Sequence, residues 1–177
     1  MPCIKAARVM NRSPKECFEL FKNDERVGEY NDNCVELEDI ARLQYGGGVG
    51  GGNEVKVNWC ATGKYGVFGP RDFTTVVRNE ETEDGGYLSV ATAIDMEGYK
   101  GLGRREGYVR SRIVLSASFM KPVEGEDGKC EFWQLTKVGE LGGVANTRIA
   151  KKIQSKLLER APIDFLERFG KAVVKKK

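Results

Sequence analysis

The feature that most constrains this chain is a succession of half-apolar runs followed by a single long helical pattern at the C-terminus. Val55–Tyr65, Phe73–Arg78, Tyr87–Met96, Val109–Met120 and Glu131–Val138 each read as β-type segments. Beyond them, Ile149, Ile153, Leu157, Leu158, Ile163, Phe165, Leu166, Phe169 and Val173 recur at helical spacing. Strands that are apolar on one face need a cover, and one amphipathic helix of this length is the cover the sequence supplies. The expectation is a curved sheet closed over by a helix, with space enclosed between the two. Gly69-Pro70-Arg71-Asp72-Phe73 forms a corner between two of the runs and gives a fixed point for counting strand register.

The N-terminal portion prepares the same layout. Ile4–Met10 alternates as a strand. Ser13-Pro14-Lys15-Glu16 then carries a helix start, with Ser13 as cap, Pro14 at the first helical position and Glu16 closing a capping box. Cys17, Phe18, Leu20 and Phe21 supply its apolar stripe, and Asn23-Asp24 ends it and caps a second short helix over Glu25–Tyr30. A strand around Cys34–Leu43 follows. After the last strand, Asn146 or Thr147 is a plausible cap for the long helix, which Pro162 kinks or restarts.

Two glycine-rich stretches imitate nucleotide loops and fail on context. Gly46–Gly52 lacks the Gly-Lys-Ser/Thr ending and precedes a strand, so it reads as a flexible connection. Gly101–Gly107 has one residue too many for the dinucleotide fingerprint and is also followed by a strand. The wider segment Glu97–Gly107, with four glycines and the cations Lys100, Arg104 and Arg105, reads as a candidate lid. Gly125-Glu126-Asp127-Gly128 reads as a hairpin turn.

On the strand from Tyr87, alternate residues Tyr87, Ser89, Ala91, Ala93 and Asp95 are mostly small, while Leu88, Val90, Thr92 and Ile94 face the other way. Close packing against a helix and the wall of a ligand cavity explain that small face equally well. Composition narrows the chemistry. The chain has 177 residues, which fits a single domain over residues 1–177, and no histidine, which removes the usual general base and the commonest transition-metal ligand. The five cysteines form no C-x-x-C pair and read as reduced, mostly buried thiols, with no metal site indicated. A dispersed net charge of +3 argues against a nucleic-acid partner, and the lack of an 18-residue apolar run or a signal-like start points to a cytoplasmic protein.

In order and spacing, these signals resemble the StAR-related lipid-transfer (START) domain, nearest its sterol-transporting branch, over essentially the whole chain. The resemblance rests on Gly28-Glu29-Tyr30-Asn31, Gly69-Pro70-Arg71-Asp72-Phe73, Val109-Arg110-Ser111 with Pro122 twelve residues beyond Arg110, Trp133, and Gly142-Gly143 ahead of the final helix. It implies an α+β helix-grip fold, in which an antiparallel sheet curves around the C-terminal helix and leaves an internal hydrophobic tunnel for one lipid. It also implies non-covalent carriage between membranes, with no catalytic residue and no cofactor. The protein is then expected to be a monomer that touches membrane surfaces transiently.

Carried onto this sequence, the ligand-binding positions implied are Asn58, Cys60, Phe73, Thr75, Val77, Ser89, Ala91, Ala93, Val109, Ser111, Ile113, Leu115, Trp133, Ile149, Ile153 and Leu157. Sterol-binding members keep a carboxylate and an arginine in the tunnel. Counting from the corner puts Asn58 and Val77 at those places, and Arg78 one residue out of register and so on the opposite face. The inference is a more apolar tunnel suited to a sterol-like, isoprenoid or fatty ligand. Arg71 and Asp72, adjacent on a strand, are expected to anchor neighbouring backbone or loops separately, and Arg110 to face outward. The family begins with a long helix and two strands before the segment matching Ile4, so the resemblance also implies a sheet edge here that is either exposed or covered by a partner. Two other readings stand beside the carrier: an enzyme of polyketide cyclase or aromatase type on the same scaffold, and a ligand-sensing receptor.

Overall fold

The computed structural model describes residues 3–45, 53–64, 68–95, 98–99, 102–139 and 148–175, with side chains of the last segment described from Arg160 onward. The chain runs β1 (Ile4–Met10), α1 (Pro14–Phe21), a 3₁₀ turn (Asp24–Glu29), β2 (Cys34–Gln44), β3 (Glu54–Thr62), β4 (Arg71–Glu81), β5 (Tyr87–Ala93), β6 (Val109–Arg110), β7 (Ile113–Pro122), β8 (Cys130–Val138) and α2 (Arg148–Val174). The strands form one sheet in the order β1-β8-β7-β5-β4-β3-β2, antiparallel throughout, and β6 adds a short parallel pairing at the start of β4. This is the expected sheet grasped by a C-terminal helix, with β1 and β2 as its edges.

Local chemistry fixes the small elements. The Glu16 amide donates to Ser13 Oγ at 3.3 Å and the Ser13 amide donates to Glu16 Oε2 at 3.0 Å, completing the capping box. Asn23 caps the 3₁₀ turn by accepting from the Glu25 amide at 3.1 Å, where the sequence led us to expect a helix over Glu25–Tyr30. At the hairpin after β7, Gly125 and Gly128 take φ of 73° and 75°, a region that side chains other than glycine's rarely enter. Helix α2 continues through Pro162 instead of restarting there. The Gly46–Gly52 connection and the expected cap at Asn146 or Thr147 lie outside the described residues.

Two strand boundaries differ from the sequence reading for a physical reason. The run Val109–Met120 is two strands, because β6 pairs with Arg71 and Asp72 of β4 while β7 pairs with β5 and β8. Inside β7, Ile113 pairs with Val138 but Leu115 pairs with Lys137, so Val114 is an additional residue, a β-bulge. Strict alternation counted through that point therefore assigns the wrong face to everything after it.

The main hydrophobic core sits at one end of the concave face, where α1 and the last turns of α2 cover β1, β7 and β8. Phe132 and Phe169 are fully buried and meet edge to face at 4.8 Å, Phe18 stacks on Tyr87 at 4.6 Å, and Met10, Leu20, Met120 and Leu166 fill the remainder. Such buried aromatics hold helices to sheet at about 3–5 kcal/mol each when truncated to alanine. Tyr30 closes the core's inner edge, its hydroxyl donating to the Phe21 carbonyl at 3.0 Å. Beyond Tyr30 the helix and the sheet diverge.

Candidate functional site

Where they diverge, a cavity of about 350 Å³ opens between the concave face of the sheet and a roof in which the apolar Phe21, Val27, Tyr30, Ala161, Pro162 and Phe165 are flanked by Lys22, Asp24, Asn31 and Asn33. The apolar part of the roof comes from the ends of α1 and the 3₁₀ turn and from α2 around Pro162. The floor is the set of inward-facing residues of β3, β4, β5, β7 and β8, and register places them in cross-strand rows.

The row nearest the core is Glu54, Asn79, Ser89, Ser118 and Gln134, each directly opposite the next across the strands. All five are buried. Asn79 Nδ2 donates to Glu54 Oε1 at 2.7 Å, Ser118 Oγ donates to Gln134 Oε1 at 2.7 Å, and Gln134 Nε2 reaches Ser116 Oγ at 3.2 Å and Thr136 Oγ1 at 3.3 Å. The following row is Lys56, Val77, Ala91, Ser116 and Thr136, and beyond it Asn58 faces Thr75, whose hydroxyl donates to Asn58 Oδ1.

Charge collects at the β3 end. Lys56 Nζ contacts both oxygens of Asp24 at 2.8 Å and Asp39 Oδ1 at 3.3 Å, while Arg42 bridges Asp39, Asp24 at 3.4 Å and Glu54 at 3.7 Å. Burial raises the Asp24 pKa above the usual carboxylate range, and the pull of Lys56 only partly opposes it. For Asp39 the same burial effect is outweighed by the bonds from Arg42 and Lys56, which hold its carboxyl below the usual range. Cys60 also lines the cavity, but burial pushes its thiol up to about 12, which leaves almost no thiolate at neutral pH.

Of the positions expected to contact a ligand, Asn58, Cys60, Thr75, Val77, Ser89, Ala91 and Ile113 line the cavity. Phe73 is buried opposite Cys60 at the far end, and Ala93 lies opposite Thr75, both beyond the lining. Val109 and Ser111 are taken away by β6: Val109 pairs with Arg71, and the Ser111 amide donates to the Asp72 carbonyl at 2.9 Å. Leu115 follows the bulge and sits with Lys137, on the face opposite Ser116 and Ser118. Trp133 lies between Phe132 and Gln134, which are inside, so it points outward, with Lys5 Nζ 3.7 Å from its ring centre. Ile149, Ile153 and Leu157 fall on α2, and their side chains lie outside the described residues.

The expectation of a hydrophobic tunnel needs one addition, a set of polar residues in its lining. Lys56, Asn79, Ser116, Ser118, Gln134 and Thr136 all line the cavity, and none was singled out from sequence. A signal existed: Lys56 and Asn79 share the parity of Asn58 and Val77 on strands whose register was already counted. The lid also needs correction. Arg110 Nη1 and Nη2 donate to the carbonyls of Leu102 and Gly103 at 3.1 and 2.8 Å, and Arg105 stacks 3.6 Å over Trp59 while pairing with Glu38. Trp59 lies between the cavity-lining Asn58 and Cys60 and so faces outward. The described part of the loop is therefore fastened to the convex face, away from the cavity.

The corner itself anchors structure, as expected. Arg71 Nη1 donates to the Gly69 carbonyl at 2.6 Å. Asp72 faces the other way and accepts from Arg110 Nε at 3.0 Å, Arg110 Nη2 at 2.9 Å and Trp59 Nε1 at 2.9 Å. Burial alone would raise the Asp72 pKa, but these bonds more than offset it and hold the carboxyl below its ordinary value. Among the described residues, no helix is long and apolar enough to cross a membrane.

Comparison with solved structures follows from this geometry. Human STARD10 superposes with a TM-score of 0.77 at 17% identity, over 97% of this chain and 62% of that one. Human StAR-related lipid transfer protein 5 gives 0.75 at 18% identity, over 96% of this chain and 74% of that one. A more distant likeness, with a TM-score of 0.57 at 8% identity over 97% of this chain and 93% of that one, is to the ZhuI aromatase/cyclase of a Streptomyces species. The chain thus spans less than two thirds of the STARD10 length. No protein-family model and no curated protein matches the sequence. With an antiparallel sheet wrapped on a C-terminal helix and these structural neighbours, the chain has the helix-grip fold of the StAR-related lipid-transfer domains.

Proposed function

We propose that the chain binds one lipid, sterol-like, isoprenoid or fatty, in the cavity under α2 and carries it between membranes without changing its bonds. The observation that carries this reading is a cavity whose roof sets an apolar patch, Phe21, Val27, Tyr30, Pro162 and Phe165, over a floor whose polar groups form rows across the sheet. A lipid leaving a bilayer loses its hydrocarbon contacts, and apolar walls restore them at about 25 cal/mol per Å² kept from water. The polar floor receives the one end of the lipid that was hydrated. At about 350 Å³ the cavity lies near the small end of ligand sites, which favours a single-chain or ring lipid over a two-chain phospholipid. The test is transfer of a labelled sterol and a labelled single-chain lipid between donor and acceptor vesicles. Catalysed transfer of either supports the reading, and a rate no faster than without protein defeats it.

The enzyme reading gains one observation that sequence did not provide. Ionisable side chains do reach the cavity wall, Lys56 and Asp24 among them, and aromatase/cyclases share the fold. Both groups are engaged in one ion-pair network, which favours a structural role over proton transfer. Recovery of bound lipid with its mass unchanged after prolonged incubation supports carriage, whereas a changed mass supports catalysis.

A further inference from the structure

The polar row nearest the core is bonded at both ends and open in the middle. At one end Asn79 donates to Glu54, and at the other Ser118 and Gln134 satisfy one another. Asn79 is 2% exposed, lines the cavity, and its Oδ1 has no hydrogen-bond partner among the described residues. The amide orientation is not arbitrary: turning it over would set a carbonyl oxygen against the Glu54 carboxylate at 2.7 Å. Oδ1 is thus an acceptor without a donor, and the next residue in the row, directly across from Asn79, is Ser89, which also lines the cavity.

Folding gives no reason for this arrangement. Inward positions of a sheet are ordinarily apolar, and on β5, β7 and β8 the adjoining row toward the core, Tyr87, Met120 and Phe132, obeys that rule. Five consecutive polar residues that break it, with one acceptor left open at the centre, mark a place where a ligand group completes the network. The chemistry of that group follows from its neighbours. It must donate to Asn79 Oδ1. A hydroxyl donates and can also accept from Ser89, whose own side chain is a hydroxyl. An ionised carboxylate or a phosphodiester has no hydrogen to donate, and it would bring negative charge toward Glu54, whose Oε1 already accepts from Asn79.

We infer that Asn79 and Ser89 form the polar end of the ligand site and select an uncharged lipid alcohol, its hydroxyl donating to Asn79 Oδ1. This rests on the lipid-binding reading above and narrows it. The sterol-like and isoprenoid alcohols remain, and free fatty acids drop out.

The test uses three probes of one chain length on delipidated full-length protein: dodecan-1-ol, dodecyl methyl ether and sodium dodecanoate, with affinities from calorimetry. The ether accepts but cannot donate, so the comparison isolates the proposed bond without altering the protein. The alcohol is expected to bind at least about tenfold more tightly than either other probe. In Asn79→Leu that preference over the ether should collapse to within about twofold. Ser89→Ala should retain preference for the alcohol but reduce it by about threefold. Equal binding of alcohol and ether by the wild-type protein means that water satisfies Asn79, and overturns the inference while lipid binding stands. Tightest binding of dodecanoate overturns it as well. Binding of none of the three removes the lipid reading along with it.

Discussion

The two faces of the β3–β4 pair handle buried polar groups in opposite ways. On the convex face Asp72 accepts from Arg110 twice and from Trp59 once, and Arg110 spends its other donors on Leu102, Gly103 and Thr74. On the concave face, toward the other end of the same two strands, Asn79 has given an amide hydrogen to Glu54 and kept an oxygen vacant. The closed cluster fastens a loop and a corner. The open one leaves bonding capacity for something that arrives later. Alternation along a strand thus lets a single pair of strands serve as clamp outside and as receptor inside.

That contrast can be broken most severely on the outside. Asp72→Ala strands the Arg110 guanidinium and the Trp59 N–H, and the expected cost is about 3–5 kcal/mol in urea unfolding. A loss below about 1 kcal/mol would show that the convex cluster does not hold the fold. Acid tests the same group. Because the folded pKa of Asp72 is depressed, its stabilisation is present above the ordinary carboxylate value of about 3.9 and is lost as pH falls through the lower folded value. Asp39 acts in the same direction, whereas Asp24, with its pKa raised, is stabilised by protonation as pH falls. Thermal melting from pH 6 to 2 should therefore show a shallower acid loss in Asp72→Asn than in the wild type. An unchanged slope would assign the acid sensitivity to other carboxylates.

The concave face should respond more weakly. Asn79→Leu removes a donor from Glu54 but also removes an unbonded oxygen, so the ligand-free protein should stay within about 1.5 kcal/mol of wild type in urea unfolding. A loss comparable to that of Asp72→Ala would mean that the row is a structural network after all. The smallest effect belongs to Arg105→Ala. It loses a cation–π contact and a half-exposed ion pair, worth about 0.5–1 kcal/mol, and should leave lipid binding untouched because Arg105 lies on the other face. Altered ligand affinity in that variant would return the loop to the role of a lid.

How much of this was legible in the sequence depended on whether parity could be counted without interruption. From Gly69–Phe73 across β3, β4 and β5 the register runs regularly, and Asn58, Thr75, Val77, Ser89 and Ala91 all line the cavity. The same count also reached Lys56 and Asn79. Polar residues on half-apolar strands ordinarily read as solvent-facing, a rule that fails where the inner face of the sheet lines a cavity. Leu115 was misplaced because nothing in Ile113-Val114-Leu115 announces a bulge; it arises from how β7 meets β8. Trp133 follows from the family likeness, whereas parity points inward at Phe132 and Gln134. The loop after β5 looked like a lid because its glycines advertise freedom, while the contacts that fix it come from Arg110 and Trp59, elsewhere in the chain.

The bulge at Val114 also bears on how such a chain can change length. Because Val114 is the residue without a place in the ladder, deleting it would keep Ile113 facing in, Leu115 facing out and Ser116 facing in. The same deletion in the middle of β5 would turn part of the strand over and move polar floor residues such as Ser89 to the convex side. Single-residue gains and losses are therefore tolerable at one point of the cavity wall and ruinous a strand away. An alignment of related sequences should concentrate its gaps within this sheet at that point.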